Sequence, residues 1–132
     1  MESSAHWKAK YRLKEILENT GYTNIQIESK QAEITIEFLG KRTYIFDVQA
    51  EDEQGWLYCF EVDGKKGHTS RRNIAKDRTR DRAMLENGIR TVRIQTIDLV
   101  GKKKQTDQEI IQEIEYQLKE CEKLDVVSVV ER

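Results

Sequence analysis

Three segments of the chain carry the signals of α-helices. Residues 4–20 place apolar side chains on one helical face, and a glycine follows the last turn. Residues 106–123 repeat this spacing, and Thr106 with Glu109 has the form of a capping box at the first turn. Residues 70–87 are strongly basic and end at an Asn-Gly pair, which indicates a third helix with a defined stop.

The apolar positions between and after these segments alternate or run together, as they do in β-strands. The predicted strands are residues 24–29, 32–38, 42–50, 56–64 and 89–96. Segment 56–64, WLYCFEVDG, is apolar almost throughout, which is typical of a central strand. The final residues, DVVSVVER, are apolar and β-prone, so we expect them to add an edge strand or to pair with a second copy in a homodimer.

The elements follow one another in the order α-β-β-β-β-α-β-α, which predicts an α/β fold with a mixed β-sheet flanked by helices. The basic helix is well placed to be the crossover between two parallel strands, 56–64 and 89–96. The chain has 132 residues and no proline, and it shows neither internal repeats nor a low-complexity linker. We therefore expect a single domain over residues 1–132.

The composition argues against several classes of protein. No apolar run approaches the ~20 residues of a membrane helix, and the N-terminus lacks the apolar stretch of a signal peptide. Cys59 and Cys121 are far apart in sequence, which argues against a disulfide framework and a cysteine-rich zinc site. We expect an intracellular, cytoplasmic protein with reduced thiols and no membrane partner.

The formal net charge of −1 hides a strong asymmetry. Residues 64–104 carry a net charge of +9, and the other 91 residues carry −10. Two interpretations stay open, a phosphate-binding surface and a solvated charged helix. On the first interpretation the candidate phosphate-binding residues are Lys66, Arg71, Arg72, Lys76, Arg78, Lys102, Lys103 and Lys104.

Acidic residues interrupt the two strands that precede the basic helix. Asp47 lies inside the apolar strand 42–50. Side chains two residues apart share a face of a β-strand, so one face of the next strand carries Glu61, Asp63 and Lys65. A hairpin would bring Asp47 beside Glu61, and converging carboxylates are costly unless a cation such as Mg²⁺ or Mn²⁺ neutralises them. The alternative is a set of surface acids on an edge strand.

A histidine follows the acidic strand closely. Gly64 allows a sharp turn at the strand end, and His68 could then reach the acids as a general acid or base. The alternative is a surface histidine. Asp77 and Asp81 of the basic helix are expected to form salt bridges instead of binding metal, and their candidate partners are Arg78, Arg80 and Arg93. Core packing is the expected role of three aromatic residues that could otherwise stack on bases, Trp7, Trp56 and Tyr58.

The stretch FDV…FEVDGKKGH…KDRTRDRAMLENGIRTVRI resembles the PD-(D/E)XK nuclease superfamily. Within it, the stretch is most similar to the very-short-patch repair endonucleases and to a small uncharacterised nuclease family close to them. The spacing Asp63-Gly64-x₃-His68 resembles the repair endonucleases, and Glu61-x-Asp63-Gly64 resembles the uncharacterised relatives. The resemblance covers roughly residues 42–95.

The resemblance implies a restriction-endonuclease-like core and a Mg²⁺-dependent endodeoxyribonuclease with a role in DNA repair or recombination. Such an enzyme hydrolyses DNA phosphodiester bonds, here with structure-selective or weakly sequence-specific cutting. The implied ligands of Mg²⁺ or Mn²⁺ are Asp47, Glu61 and Asp63. Lys65 or His68 would assist the attacking water or the leaving group. Glu15 on the first helix is the candidate acid that would complete the site, and the alternative is that Glu15 belongs to a solvated helix face.

The sequence departs from the pattern of these nucleases in more than one respect. The usual lysine after the second acid is absent, because Asp63 stands there, and Lys65 on the same face is the candidate substitute. The alternative is therefore a catalytically inactive nucleic-acid-binding or partner-binding module on the same fold. The zinc-binding cysteines and histidines of the repair endonucleases are missing as well, so specific mismatch recognition is not implied.

Overall fold

A computed structural model describes residues 4–36, 40–64 and 71–131 of the chain, with side chains for residues 4–28, 46–64 and 78–122. The elements, in chain order, are α1 (Ser4–Glu18), β1 (Thr23–Ile36), β2 (Gly40–Glu51), β3 (Leu57–Asp63), α2 (Arg71–Glu86), β4 (Ile89–Gln95), α3 (Thr96–Val100) and α4 (Asp107–Glu131). The predicted α/β class is confirmed.

The four strands form one mixed sheet in the order β1-β2-β3-β4. β1, β2 and β3 are antiparallel neighbours, whereas β4 is parallel to β3 and follows it through α2. The expected parallel pairing across the basic helix is therefore confirmed. β3 lies between β2 and β4, and this central position explains its nearly continuous apolar sequence.

Helices cover both faces of the sheet. Phe60 and Val62 of β3 pack with Leu13 of α1 and Ile110 of α4 in one hydrophobic cluster. On the opposite face, Cys59 packs in a second cluster with four other buried residues, Phe46, Ala83, Met84 and Ile89. The alternation along β3 thus sends even-numbered side chains toward α1 and α4 and odd-numbered ones toward α2.

This alternation breaks in β2 at Asp47. Phe46 belongs to the cluster beneath α2 and Val48 to the cluster beneath α1, although two residues of a regular strand that are two apart share a face. Glu28 of β1 stands at the same level of the sheet, between partners of Phe46 and Val48, and its φ is +55°. A glutamate in this left-handed region costs on the order of 1–3 kcal/mol, so both strands are distorted at one point.

The structure corrects two predictions about strands. The segments 24–29 and 32–38 were expected to be separate, but one strand, Thr23–Ile36, spans most of both, with a shift of register between Lys30 and Glu33. The C-terminal segment DVVSVVER was expected to be a strand, yet α4 continues through it to Glu131. Extending an existing helix adds one hydrogen bond for each residue that becomes ordered, which outweighs the weak β preference of valine.

Other local predictions hold. Thr106 N–H donates to Oε1 of Glu109 at 3.1 Å, and Glu109 N–H donates to Oγ1 of Thr106 at 3.2 Å, as expected of the capping box. The short helix Thr96–Val100 was missed because five residues are too few to show a helical period. Among the described residues, no helix has the length and apolar character needed to span a membrane.

Packing of α1 on the sheet is testable at Leu13, which is 0% exposed. We expect Leu13→Ala to lower the free energy of unfolding by about 3 kcal/mol, because it leaves a cavity in the core. Tyr116→Ala, at a side chain 61% exposed, should change it by less than about 0.5 kcal/mol. Urea denaturation of both variants measures the difference, and equal effects would contradict this packing.

Candidate functional site

The carboxylate of Asp47 binds the backbone of β3. Its Oδ2 accepts a hydrogen bond from the Val62 N–H at 2.8 Å. The β2–β3 ladder reaches Val48↔Phe60, so Asp47 stands one step further along, level with Glu61. The expected proximity of these two strand positions is therefore present, and Asp47 is fixed at the segment that carries Glu61 and Asp63.

Lys10 of α1 lies beneath the same carboxylate. Its side chain is only 1% exposed, and its Nζ is 2.8 Å from Oε1 of Glu28 and 3.6 Å from Oδ1 of Asp47. The Trp7 ring covers it, with the ring centroid 5.6 Å from Nζ. A buried ammonium group requires such partners, because removing a charge from water without compensation is very costly.

The sequence contained a signal for the position of Lys10 that its charge obscured. Lys10 precedes the buried Leu13 and Leu17 by three and seven residues, so it falls within the apolar stripe of α1. A charged residue in such a stripe indicates a buried charge with a specific partner.

Glu61 is held by two arginines. Its Oε2 accepts hydrogen bonds from Nη2 of Arg80 at 2.8 Å and from Nε of Arg93 at 3.1 Å. Burial raises the pKa of Glu61 above its usual value, and this effect outweighs the opposing influence of the two guanidinium groups. Asp63 and Asp81 add to the rise, because a nearby negative charge disfavours ionisation.

The same arginine network extends to a second acid. Nη1 and Nη2 of Arg93 donate to the two carboxylate oxygens of Asp81 at 2.8 and 2.7 Å, so the predicted salt bridge of Asp81 is confirmed. Arg80 and Asp81 belong to α2, Glu61 to β3 and Arg93 to β4. The network therefore joins the helix to two strands beside the candidate site.

The described part of the chain contains no group of three or more histidine, cysteine or acidic side chains arranged to hold a metal ion. The cradle of Asp47, Glu61 and Asp63 therefore stays a prediction. Mg²⁺ in phosphoryl-transfer sites is held by one or two carboxylates, with water and substrate phosphates as the other ligands. Asp47, fixed beside the backbone between the two β3 acids, fits this smaller requirement.

The other predicted site residues are placed as follows. Glu15 is exposed on α1, about 140° around the helix from Lys10, and so lies away from the side that meets Asp47. Arg78 is exposed on α2, and Lys102, Lys103 and Lys104 are exposed between α3 and α4. Three predicted residues, Lys65, Lys66 and His68, lie outside the described residues. The side chains of Arg71, Arg72 and Lys76 also lie outside the described part.

Arg12 anchors the segment that carries the three lysines. Its Nη1 donates to the carbonyl of Leu99 at 2.7 Å, and its Nη2 donates to the carbonyl of Gln105 at 2.7 Å. Nη2 also reaches Oδ1 of Asp107 at 2.9 Å. These bonds tie both ends of the lysine segment to α1. The sequence did not predict this role, because an arginine in an amphipathic helix is expected to be exposed to solvent.

Two of the three aromatic residues considered for base stacking are partly exposed. Trp7 and Trp56 are 40% and 41% exposed, whereas Tyr58 is buried at 3%. The guanidinium carbon of Arg90 lies 4.7 Å from the Trp56 ring centroid. Core packing is confirmed for Tyr58, but it is wrong for Trp7 and Trp56, which are exposed and retain accessible ring surface. Trp56 precedes the start of β3, at the opposite end of that strand from Asp63.

Comparison of the chain with protein-family models, with curated proteins and with solved structures gave no match.

The raised pKa of Glu61 predicts how the free energy of unfolding depends on pH. Its contribution to folding is complete below the ordinary glutamate pKa and is lost as pH rises through the raised value. The glutamine of Glu61→Gln cannot ionise, so the variant does not lose this contribution. As pH rises from about 4 to about 7, its free energy of unfolding should therefore increase relative to that of the wild type. Urea denaturation across this range measures the shift. A shift toward the wild type instead would show that the two arginines outweigh burial.

Proposed function

We propose that this protein is a metal-dependent endonuclease that hydrolyses DNA phosphodiester bonds on a restriction-endonuclease-like core. The observation that carries the proposal is the bond between Asp47 and the Val62 N–H. It brings the acid of β2 to the segment of β3 that carries Glu61 and Asp63. The mixed sheet flanked by helices supports the proposal, because it is the arrangement that the sequence resemblance implied.

The chemistry requires a cation that polarises the phosphate and activates water, which Mg²⁺ or Mn²⁺ would supply when held by Asp47, Glu61 and Asp63. The residues of the chain itself perform the remaining tasks. The Val62 N–H orients Asp47, and the pair Arg80 and Arg93 orients Glu61. Lys65 and His68 remain the predicted groups for assisting the attacking water or the leaving group.

Exposed basic residues provide the proposed contact with the DNA backbone. Lys102, Lys103 and Lys104 follow α3, which itself follows Gln95, the register partner of Asp63 at the end of β3. Arg12 holds this segment in place from both ends. Phosphate contacts of this kind give affinity without base readout, which supports structure-selective or weakly specific cutting.

One observation favours a second candidate function, a catalytically inactive nucleic-acid-binding module. Glu61 is already paired with Arg80 and Arg93, so its negative charge is compensated without a metal ion. On this alternative the acids serve packing, and the basic residues bind nucleic acid alone. Cleavage and binding therefore have to be measured separately.

The nuclease proposal predicts metal-dependent cutting of at least one DNA in a panel of duplex, single-stranded, flap and four-way-junction substrates. Asp47→Asn keeps the shape of the side chain and an acceptor for Val62, yet it should lower the cleavage rate by about 100-fold or more, since a charge that holds the metal is lost. Glu53→Gln, an exposed acid in the β2–β3 turn, is the control and should cut normally. Binding without any cutting by the wild type would favour the inactive module.

The proposed phosphate contact predicts a change in salt dependence. Lys103→Ala should weaken binding to all DNA sequences alike and reduce the slope of log K against log salt by about 1. Lys119→Ala removes an exposed lysine from α4 and should leave the slope unchanged. Fluorescence anisotropy in EDTA measures both without cleavage, and equal slopes for Lys103→Ala and the wild type would exclude this contact.

A further inference from the structure

The candidate site is rich in acids, but hydrolysis of a phosphodiester also needs a positive charge near the phosphate. Phosphodiester hydrolysis builds negative charge on the phosphate, and fixed cations near the reacting group stabilise it. β3 presents Glu61 and Asp63, and the arginines nearby are already bound to Glu61 and Asp81. Among the described side chains, the cation that meets Asp47 comes from α1.

The contacts of Lys10 are those of a group held in one orientation. Glu28 binds its Nζ at 2.8 Å, and Oδ1 of Asp47 lies 3.6 Å away. Oδ2 of the same carboxylate is bound to the Val62 N–H, so both oxygens of Asp47 are accounted for by a neighbour. Lys10 and Val62 together fix the plane of the carboxylate.

The backbone of β1 is distorted at Glu28, the residue that binds Lys10. Glu28 adopts a φ of +55° at the level of the sheet where β2 changes the face of its side chains at Asp47. Residues held in such conformations cluster at functional sites, because the surrounding structure has to compensate for their cost. An apolar residue at position 10 would continue the stripe of Leu13 and Leu17 without needing either acid.

We propose that Lys10 is a positioning residue of the Asp47 site, which holds the carboxylate in place and competes with the divalent cation for it. This inference rests on the proposed function, because it assigns Asp47 to the metal. The ammonium group lowers the affinity of the site for metal and keeps the carboxylate oriented for the reaction. Removing Lys10 therefore has two opposite effects, tighter metal binding and slower cleavage.

The first measurement is Mn²⁺ binding to the purified chain, followed by electron paramagnetic resonance. Lys10→Met keeps the length of the side chain and removes its charge. We expect it to raise Mn²⁺ affinity by about tenfold, on the order expected for removing one like charge near a water-exposed divalent ion. Lys14→Met is the matched control, since Lys14 lies one turn further along α1 and is 37% exposed.

The second measurement is single-turnover cleavage by the same variants. Lys10→Met should cut about 100-fold more slowly, because a misplaced reacting group costs a factor of this size. Lys10→Arg keeps the charge, so its Mn²⁺ affinity should stay near that of the wild type and its rate should recover in part. Circular dichroism establishes that each variant is folded, and Lys14→Met should match the wild type in both measurements.

The outcomes separate this inference from the proposed function. Cutting by the wild type, with unchanged or weaker Mn²⁺ binding in folded Lys10→Met, overturns the role of Lys10 and leaves the nuclease standing. A wild type that neither binds Mn²⁺ nor cuts overturns both. Tighter Mn²⁺ binding together with slower cutting by Lys10→Met supports both. If Lys10 were purely structural, removing it would loosen the Asp47 carboxylate and weaken metal binding.

Discussion

The hydrogen bond from the Val62 N–H to Oδ2 of Asp47 is the contact on which the arrangement of the site depends. The β2–β3 ladder runs from Glu51↔Leu57 to Val48↔Phe60, and the carboxylate then replaces the backbone acceptor that a further pair would supply. The other oxygen of Asp47 faces Lys10 of α1. One side chain thus connects a helix with two strands at the level where the sheet loses its regular alternation.

Charge compensation explains how acids can occupy the two inner strands of this sheet, β2 and β3. Asp47 has Lys10 beneath it, and Glu61 has Arg80 and Arg93, each contributed by a different element of the fold. An unpaired charge at these positions would destabilise the fold, so docking of α1 and α2 and formation of the site are coupled. This coupling supports both proposed functions, and the response of metal binding to Lys10 distinguishes a working site from a purely structural one.

The local features of the chain were predictable because they depend on neighbours in sequence. The helical stripe of α1, the Thr106–Glu109 capping box and the apolar character of β3 follow from spacing and propensity alone. The errors lay where distant residues or cooperativity decide. The valine-rich tail continues α4 because a helix already exists to extend, and β1 spans two predicted strands because its pairing with β2 tolerates a shift of register.

The sequence by itself determined the α/β class, the pairing of Asp81 with an arginine and the position of Asp47 against the acidic end of β3, since these depend on short-range periodicity and on the length of one hairpin. Only the tertiary structure decided which cation each acid receives. Lys10 is 37 residues from Asp47 and Arg93 is 32 residues from Glu61, and no local pattern encodes such separations. These ion pairs form because folding removes water from the charged groups. Each buried charge is then stabilised by a partner that another element supplies.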